Sequence, residues 1–129
     1  MNKKHRKAAR KTVELYFAAW MNHDWTDILG QTQITWRATR KPEYVTQYFR
    51  DYCEPHDIAR FCLGASRVVE NYMIDVEVIA TMGDGTTRRF YARVICEEAP
   101  YATNENGTWG VNPASVFRYP PDNEEKTSE

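Results

Sequence analysis

The stretch Tyr72-Met-Ile-Asp-Val-Glu-Val-Ile-Ala-Thr-Met82, then Gly83-Asp84-Gly85, then Thr86-Thr-Arg-Arg-Phe-Tyr-Ala-Arg-Val-Ile-Cys96, reads as two β-arms around a tight turn. β-Branched and aromatic residues dominate both arms, and Gly/Asp between two such runs signals a hairpin. Loop length sets the register, and the register sets the faces. A two-residue loop would place Glu77 opposite Ala92 and Asp75 opposite Val94, so that carboxylates share a face with Phe90. A three-residue loop pairs Met82 with Thr86, Asp75 with Arg93, Glu77 with Tyr91 and Ile79 with Arg89. Ile74, Val76, Val78, Ala80, Phe90, Ala92 and Val94 then share the other face. Gly85 falls at the third loop position, where left-handed backbone favours glycine. This second register gathers the apolar residues and pairs opposite charges, so it is the one expected. Asp75 and Glu77 accordingly read as a solvated face and not as a catalytic pair.

At 129 residues the chain is expected to form one domain with a sizeable core. A formal charge of −1 argues against a nucleic-acid binder. The charge is uneven, however. Lys3, Lys4, Arg6, Lys7, Arg10 and Lys11 crowd the start, whereas Pro120-Pro-Asp-Asn-Glu-Glu-Lys-Thr-Ser-Glu129 is acidic. Residues 1–6 and 120–129 are expected to be disordered, flanking a folded unit over residues 7–119. Cys53, Cys62 and Cys96 lack metal-ligand spacing and cannot all pair, which favours a reducing compartment, the cytoplasm. No apolar run suits a membrane span or a signal peptide, and Asn106-Gly-Thr108 reads as a turn.

Upstream of the hairpin, Ala9, Val13, Tyr16, Phe17 and Trp20 recur at helical spacing from about Lys7 to Met21. The basic opening opposes the helix dipole, so the first turn is expected to fray. Asp24 suits the N-cap of a short second helix that Gly30 ends. Thr32 to Arg37 alternates and predicts a short strand. Pro42 then opens a third helix carrying Tyr44, Val45, Tyr48, Phe49 and Tyr52 and ending before Pro55. From Ile58 the period becomes two, and a turn at Glu70-Asn71 would set Ala65 against Val76 and Leu63 against Val78. Thr108 to Tyr119 predicts a last strand, with Pro113 at an edge or bulge. The expected fold is α+β, a curved antiparallel sheet wrapped around three N-terminal helices.

With that order of elements the chain resembles the nuclear-transport-factor-like superfamily, whose relatives include ketosteroid isomerases, SnoaL-like polyketide cyclases and scytalone dehydratase. Two local patterns carry the resemblance over roughly residues 7–119. Tyr16-Phe-Ala-Ala-Trp-Met-Asn-His-Asp24 runs an aromatic helix face into a capping Asp, and Asn106-Gly-Thr-Trp109-Gly-Val-Asn-Pro-Ala-Ser115 is similar to a closing strand common there. The resemblance implies a cone with a pocket between the helices and the concave sheet face. Tyr16 falls where ketosteroid isomerases place the tyrosine that steadies an oxyanion. Ile34-Thr-Trp36-Arg37, however, lacks the carboxylate base of their early strand, which counts against isomerase chemistry.

Tyr16, Trp20, Trp36, Tyr48, Phe61, Phe90 and Trp109 are the candidate pocket lining, with ordinary core as the competing reading. His56, beside Asp57, is the candidate general base, and a solvated histidine is the plainer account. Cys53 shows no base within reach. Arg67 is expected to pair with Glu70, or else to hold an anionic ligand. Met73, Ile79, Tyr91 and Ile95 give the convex sheet face more apolar surface than solvation needs, which suggests a sheet-to-sheet homodimer. No HExxH, phosphate-binding loop or paired cysteines occur, so no metal or cofactor is expected. Three readings follow: a binder of a small hydrophobic molecule, a lyase, isomerase or cyclase using Tyr16 and His56, or a protein-interaction module with a filled pocket.

Overall fold

A computed structural model of the protein describes residues 3–118, and the expectations for residues 1–2 and 119–129 lie outside them. The chain folds as α+β, with helices first and an open, curved, antiparallel five-stranded sheet after them. In chain order the elements are α1 (Lys3–Met21), α2 (Trp25–Gly30), α3 (Ile34–Ala38), α4 (Pro42–Cys53), β1 (Ile58–Glu70), β2 (Met73–Met82), β3 (Thr87–Ala99), β4 (Ala102–Thr103) and β5 (Thr108–Val111). Short 3₁₀ turns follow α4 at Glu54–His56 and β5 at Pro113–Ser115.

The β2–β3 hairpin has the expected register. Asp75 pairs with Arg93, Glu77 with Tyr91, Val78 with Phe90 and Ile79 with Arg89. Met82 N–H donates to the Thr86 carbonyl at 2.8 Å and Gly85 N–H to the Met82 carbonyl at 3.0 Å. Gly85 has φ +89°, the left-handed conformation that a side chain would strain. Asp84 completes the turn by accepting from Thr86 N–H at 3.0 Å and from its hydroxyl at 2.6 Å. Ile74, Val76, Val78, Ala80, Phe90, Ala92 and Val94 are all buried. The apolar face of the hairpin is therefore the core face.

β1 is as expected only in its first half, where Leu63 lies opposite Val78. The register shifts between Leu63 and Ser66, so Ser66 and not Ala65 faces Val76. An extra residue at Gly64-Ala65 bends the strand and swaps its faces beyond that point. Arg67 consequently joins the outer face and meets Asp75 at 3.4 Å, not Glu70. The turn itself falls at Asn71-Tyr72, with Glu70 paired to Met73.

α1 begins at Lys3, four residues before the clear apolar periodicity, and buries Ala9, Val13, Tyr16, Phe17 and Trp20. It packs on β1, β2, β3 and β5. Asp24 caps α2 by accepting from Asp27 N–H at 3.0 Å. The strand expected over Thr32–Arg37 is instead the helix α3, which raises the helix number from three to four. Only Thr32 keeps strand character, in a parallel bridge to Val111. The buried Glu97 carboxylate explains the helix, because it accepts from Thr35 N–H at 3.0 Å, from the Thr35 hydroxyl and from the Gln33 amide. That satisfies an orphan donor at the start of α3 and three bonds for a buried charge. The strand expected over Thr108–Tyr119 stops at Val111, and Pro113 opens a 3₁₀ turn.

Candidate functional site

Helical spacing on α1 sends Tyr16, Phe17 and Trp20 to the concave sheet face, and α4 sends Phe49 to meet them. The Tyr16 ring lies 5.0 Å from Phe17, 6.4 Å from Trp20 and 6.4 Å from Phe49. Phe17 reaches Phe61 at 6.0 Å and Phe90 at 5.7 Å. Trp36 joins through Phe49 and Tyr48, at 5.6 and 5.0 Å. Edge-to-face pairs at these separations are favourable by about 0.5–1.5 kcal/mol beyond area burial. Six of the seven residues expected to line a pocket are thus brought together, in contact directly or through Phe17 and Phe49. Trp109 belongs to the same buried core, but its ring lies against His5 at 6.2 Å.

Phe117 escaped the sequence reading because it lay inside the expected last strand. Its φ of +63° turns the chain back, so that the ring closes the space between Phe90 at 5.0 Å and Trp20 at 5.7 Å. Arg88 lies over its outer face at 4.3 Å.

Burial governs the chemistry of the interior. Tyr16 is 1% exposed, and burial, helped by neighbouring Cys53, raises its phenol well above the ordinary value. Burial also pushes Tyr48 up to about 12 and raises the Cys53 thiol. Tyr16 is therefore a neutral hydroxyl sealed from solvent, and Cys53 is a thiol without thiolate character.

His56 sits outside this interior. Its Nδ1 is 2.8 Å from the Tyr52 carbonyl, which requires that nitrogen to carry the proton and turns Nε2 outward. The ring stacks on Tyr52 at 5.2 Å, and the His56 carbonyl accepts from Trp20 Nε1 at 3.0 Å. A depression of about 470 Å³ adjoins it, bordered by Asp57, Met82, Asp84, Thr86 and Arg88. The Thr86 hydroxyl, followed by its N–H, holds the Asp84 carboxyl below its ordinary range. Asp57 also meets His23 at 3.0 Å, and His23 stacks on Trp25. Among the described residues no hydrogen bond or ring contact joins Tyr16 to His56. The two candidate catalytic groups lie in different environments, one core and one surface.

The outer sheet face is more ordered than a solvated face. Asp75 lies on the expected side but has no exposed surface. Arg93 Nε and Nη2 meet its two oxygens at 2.9 and 3.1 Å. Arg67 adds the 3.4 Å contact while lying 4.0 Å over the Tyr91 ring. Glu77 pairs with Arg89 at 2.8 Å. Between these pairs Met73, Ile79 and Tyr91 are half-buried, and Ile95 is buried.

Among the described residues no cluster of three or more His, Cys, Asp or Glu is placed to hold a metal ion, and no helix is long and apolar enough to cross a membrane. Cys53, Cys62 and Cys96 are free thiols. Comparison of the chain with known protein families, with curated proteins and with solved structures found no match in any of the three.

Proposed function

We propose that this protein is a protein-interaction module that acts through its surfaces, on a scaffold akin to the nuclear-transport-factor-like cone. One observation carries the reading: Tyr16, Phe17, Trp20, Phe49 and Phe90 bury one another where a ligand would otherwise sit. An apolar pocket for a small molecule needs about 300–1,000 Å³ of open space beside such rings. Self-association through the outer sheet face belongs to the same proposal, supported by the half-buried Met73, Ile79 and Tyr91. Free cysteines support a reducing compartment such as the cytoplasm.

Native mass spectrometry of the purified protein tests the reading. The expected spectrum shows a dimer without added small-molecule mass, and Ile79→Glu shifts it to monomer. A stoichiometric small-molecule adduct would remove the interaction-module reading. A monomer without adduct would remove only the self-association.

A second reading keeps the small hydrophobic ligand, or a lyase, isomerase or cyclase reaction, and moves it to the depression beside His56. The outward Nε2 of His56 and the Arg88 side chain at its border favour that reading. It leaves Tyr16, sealed in the core, without a role in binding.

A further inference from the structure

The largest of the described depressions, about 720 Å³, runs between α1 and the sheet edge at β1. We propose that this groove binds an acidic segment of a partner protein. The proposal rests on the interaction-module reading and names the partner's chemistry.

Helical spacing places Lys3, Lys7, Lys11 and Glu14 along the groove, with Arg6 and Arg10 turned toward β1. The two arginines are held in place. Arg6 Nη1 donates to the Ser66 carbonyl at 3.2 Å, and Arg10 Nη1 donates to the Gly64 carbonyl. β1 is the outer strand of the β1–β2–β3 path, and these carbonyls are what an added strand would need at that point. Recognition there consequently falls to the side chains. Each guanidinium still has donors beyond the one it spends, in the planar fork that suits a carboxylate.

Charge complementarity selects the occupant. Six of the seventeen Lys and Arg residues fall within residues 3–11, and none of the eighteen acids does. α1 has no acid in its first turn, so Lys3, Lys4 and Arg6 sit uncompensated at the positive end of the helix dipole. Lys3–Lys7, Lys7–Lys11 and Arg6–Arg10 are like-charged pairs at i,i+4, each unfavourable. Carboxylates laid in the groove would relieve both strains. Two residues beyond Ser66, on the same side of the edge strand, Val68 is exposed.

Other anions fit less well. No ring lines the groove for a nucleic-acid base to stack on. Glu14, paired with Lys11 at 3.5 Å, closes the basic run at one end, so the acidic part of an occupant ends there. The apolar face of α1 is buried against the sheet, so the helix cannot lay that face into a bilayer. From Lys3 to Glu14 the helix rises about 16 Å, which about five residues of extended peptide would span.

The test titrates the full chain into a fluorescein-labelled peptide of about ten residues, rich in glutamate with interspersed leucine, and reads anisotropy. Parallel titrations use a single-stranded oligonucleotide and phosphatidylserine vesicles. Saturable peptide binding is expected, weaker at high salt and weakened at least about tenfold by the combined Lys3→Glu, Lys7→Glu and Lys11→Glu changes. Lys7→Glu alone, on an exposed side chain, gives a smaller loss in the same direction and covers a triple variant that fails to fold. No peptide binding, binding unchanged in Lys7→Glu, or tighter binding of the oligonucleotide or vesicles would each overturn the assignment. Such a failure leaves the native mass spectrum unaltered, so it is distinguishable from failure of the interaction-module reading.

Discussion

Replacing Arg93 by methionine should cost far more than the usual surface ion pair, because its partner is not on the surface. Asp75 has no exposed area, and Arg93 holds both of its oxygens, at 2.9 and 3.1 Å. Breaking a buried pair by removing one partner costs roughly 3–5 kcal/mol, since the other charge stays buried without compensation. Two features of this site reduce that figure. Arg67 keeps its contact at 3.4 Å, and the Arg93 side chain is already 24% exposed. Methionine also retains most of the aliphatic packing of the arginine stem. The expected loss is therefore about 2–3 kcal/mol, or roughly 8–12 °C in Tm for a domain of this size. Urea unfolding followed by circular dichroism measures it, with an unchanged m-value showing that the folded state is intact. The sign of a second change is sharper. Adding Asp75→Asn to Arg93→Met removes the stranded charge, so the double variant should recover about 1 kcal/mol relative to the single one. Arg89→Met, whose pair with Glu77 is more exposed, should lose only about 0.5–1 kcal/mol. A loss below about 0.5 kcal/mol for Arg93→Met, or a double variant less stable than the single one, would refute the reasoning.

Phe90→Ala, which removes a ring touching both Phe17 and Phe117, should cost about 3–5 kcal/mol in the same assay. Thiol titration with a disulfide reagent near pH 8 should find Cys62 reactive and Cys53 protected in the folded chain, with all three thiols reactive in denaturant, because burial keeps Cys53 protonated. Alkaline pH should destabilise the protein in a defined window. Tyr16 and Tyr48 have raised values in the folded state, so their contribution is complete below about pH 10 and is lost as the unfolded chain ionises first above it. The slope for Tyr16 alone reaches about 1.4 kcal/mol per pH unit, and Tyr16→Phe should remove it.

The hairpin was legible in the sequence because two local signals agreed there. Gly85 supplied the left-handed turn position, and only one register matched charge to charge. α3 was not legible, because Thr32–Arg37 alternates like a strand. Its helix depends on Glu97, more than sixty residues away, reaching the Thr35 N–H. The bulge at Gly64-Ala65 left one faint local mark, the glycine itself. From that unseen shift came the wrong partners for Arg67 and for Val76. Asp75 was placed on the right face, but its burial arises from arginines on two other strands, which alternation alone cannot reveal. The aromatic cluster was legible as a set of residues. Whether those rings line a space or fill it depends on where Phe49 and Phe117 end up, and Phe117 gets there by a positive φ at a residue that is not glycine.

Side-chain NMR of the folded protein during a titration with benzene tests the filled interior directly. The rings of Phe17, Phe90 and Phe117 should show contacts with one another and unchanged shifts as benzene is added. Phe90→Ala, which opens a dry apolar cavity, should bind it and shift saturably. Saturable shifts of those same rings in the unaltered protein would mean that a ligand-sized space lies among them, and the account would be wrong.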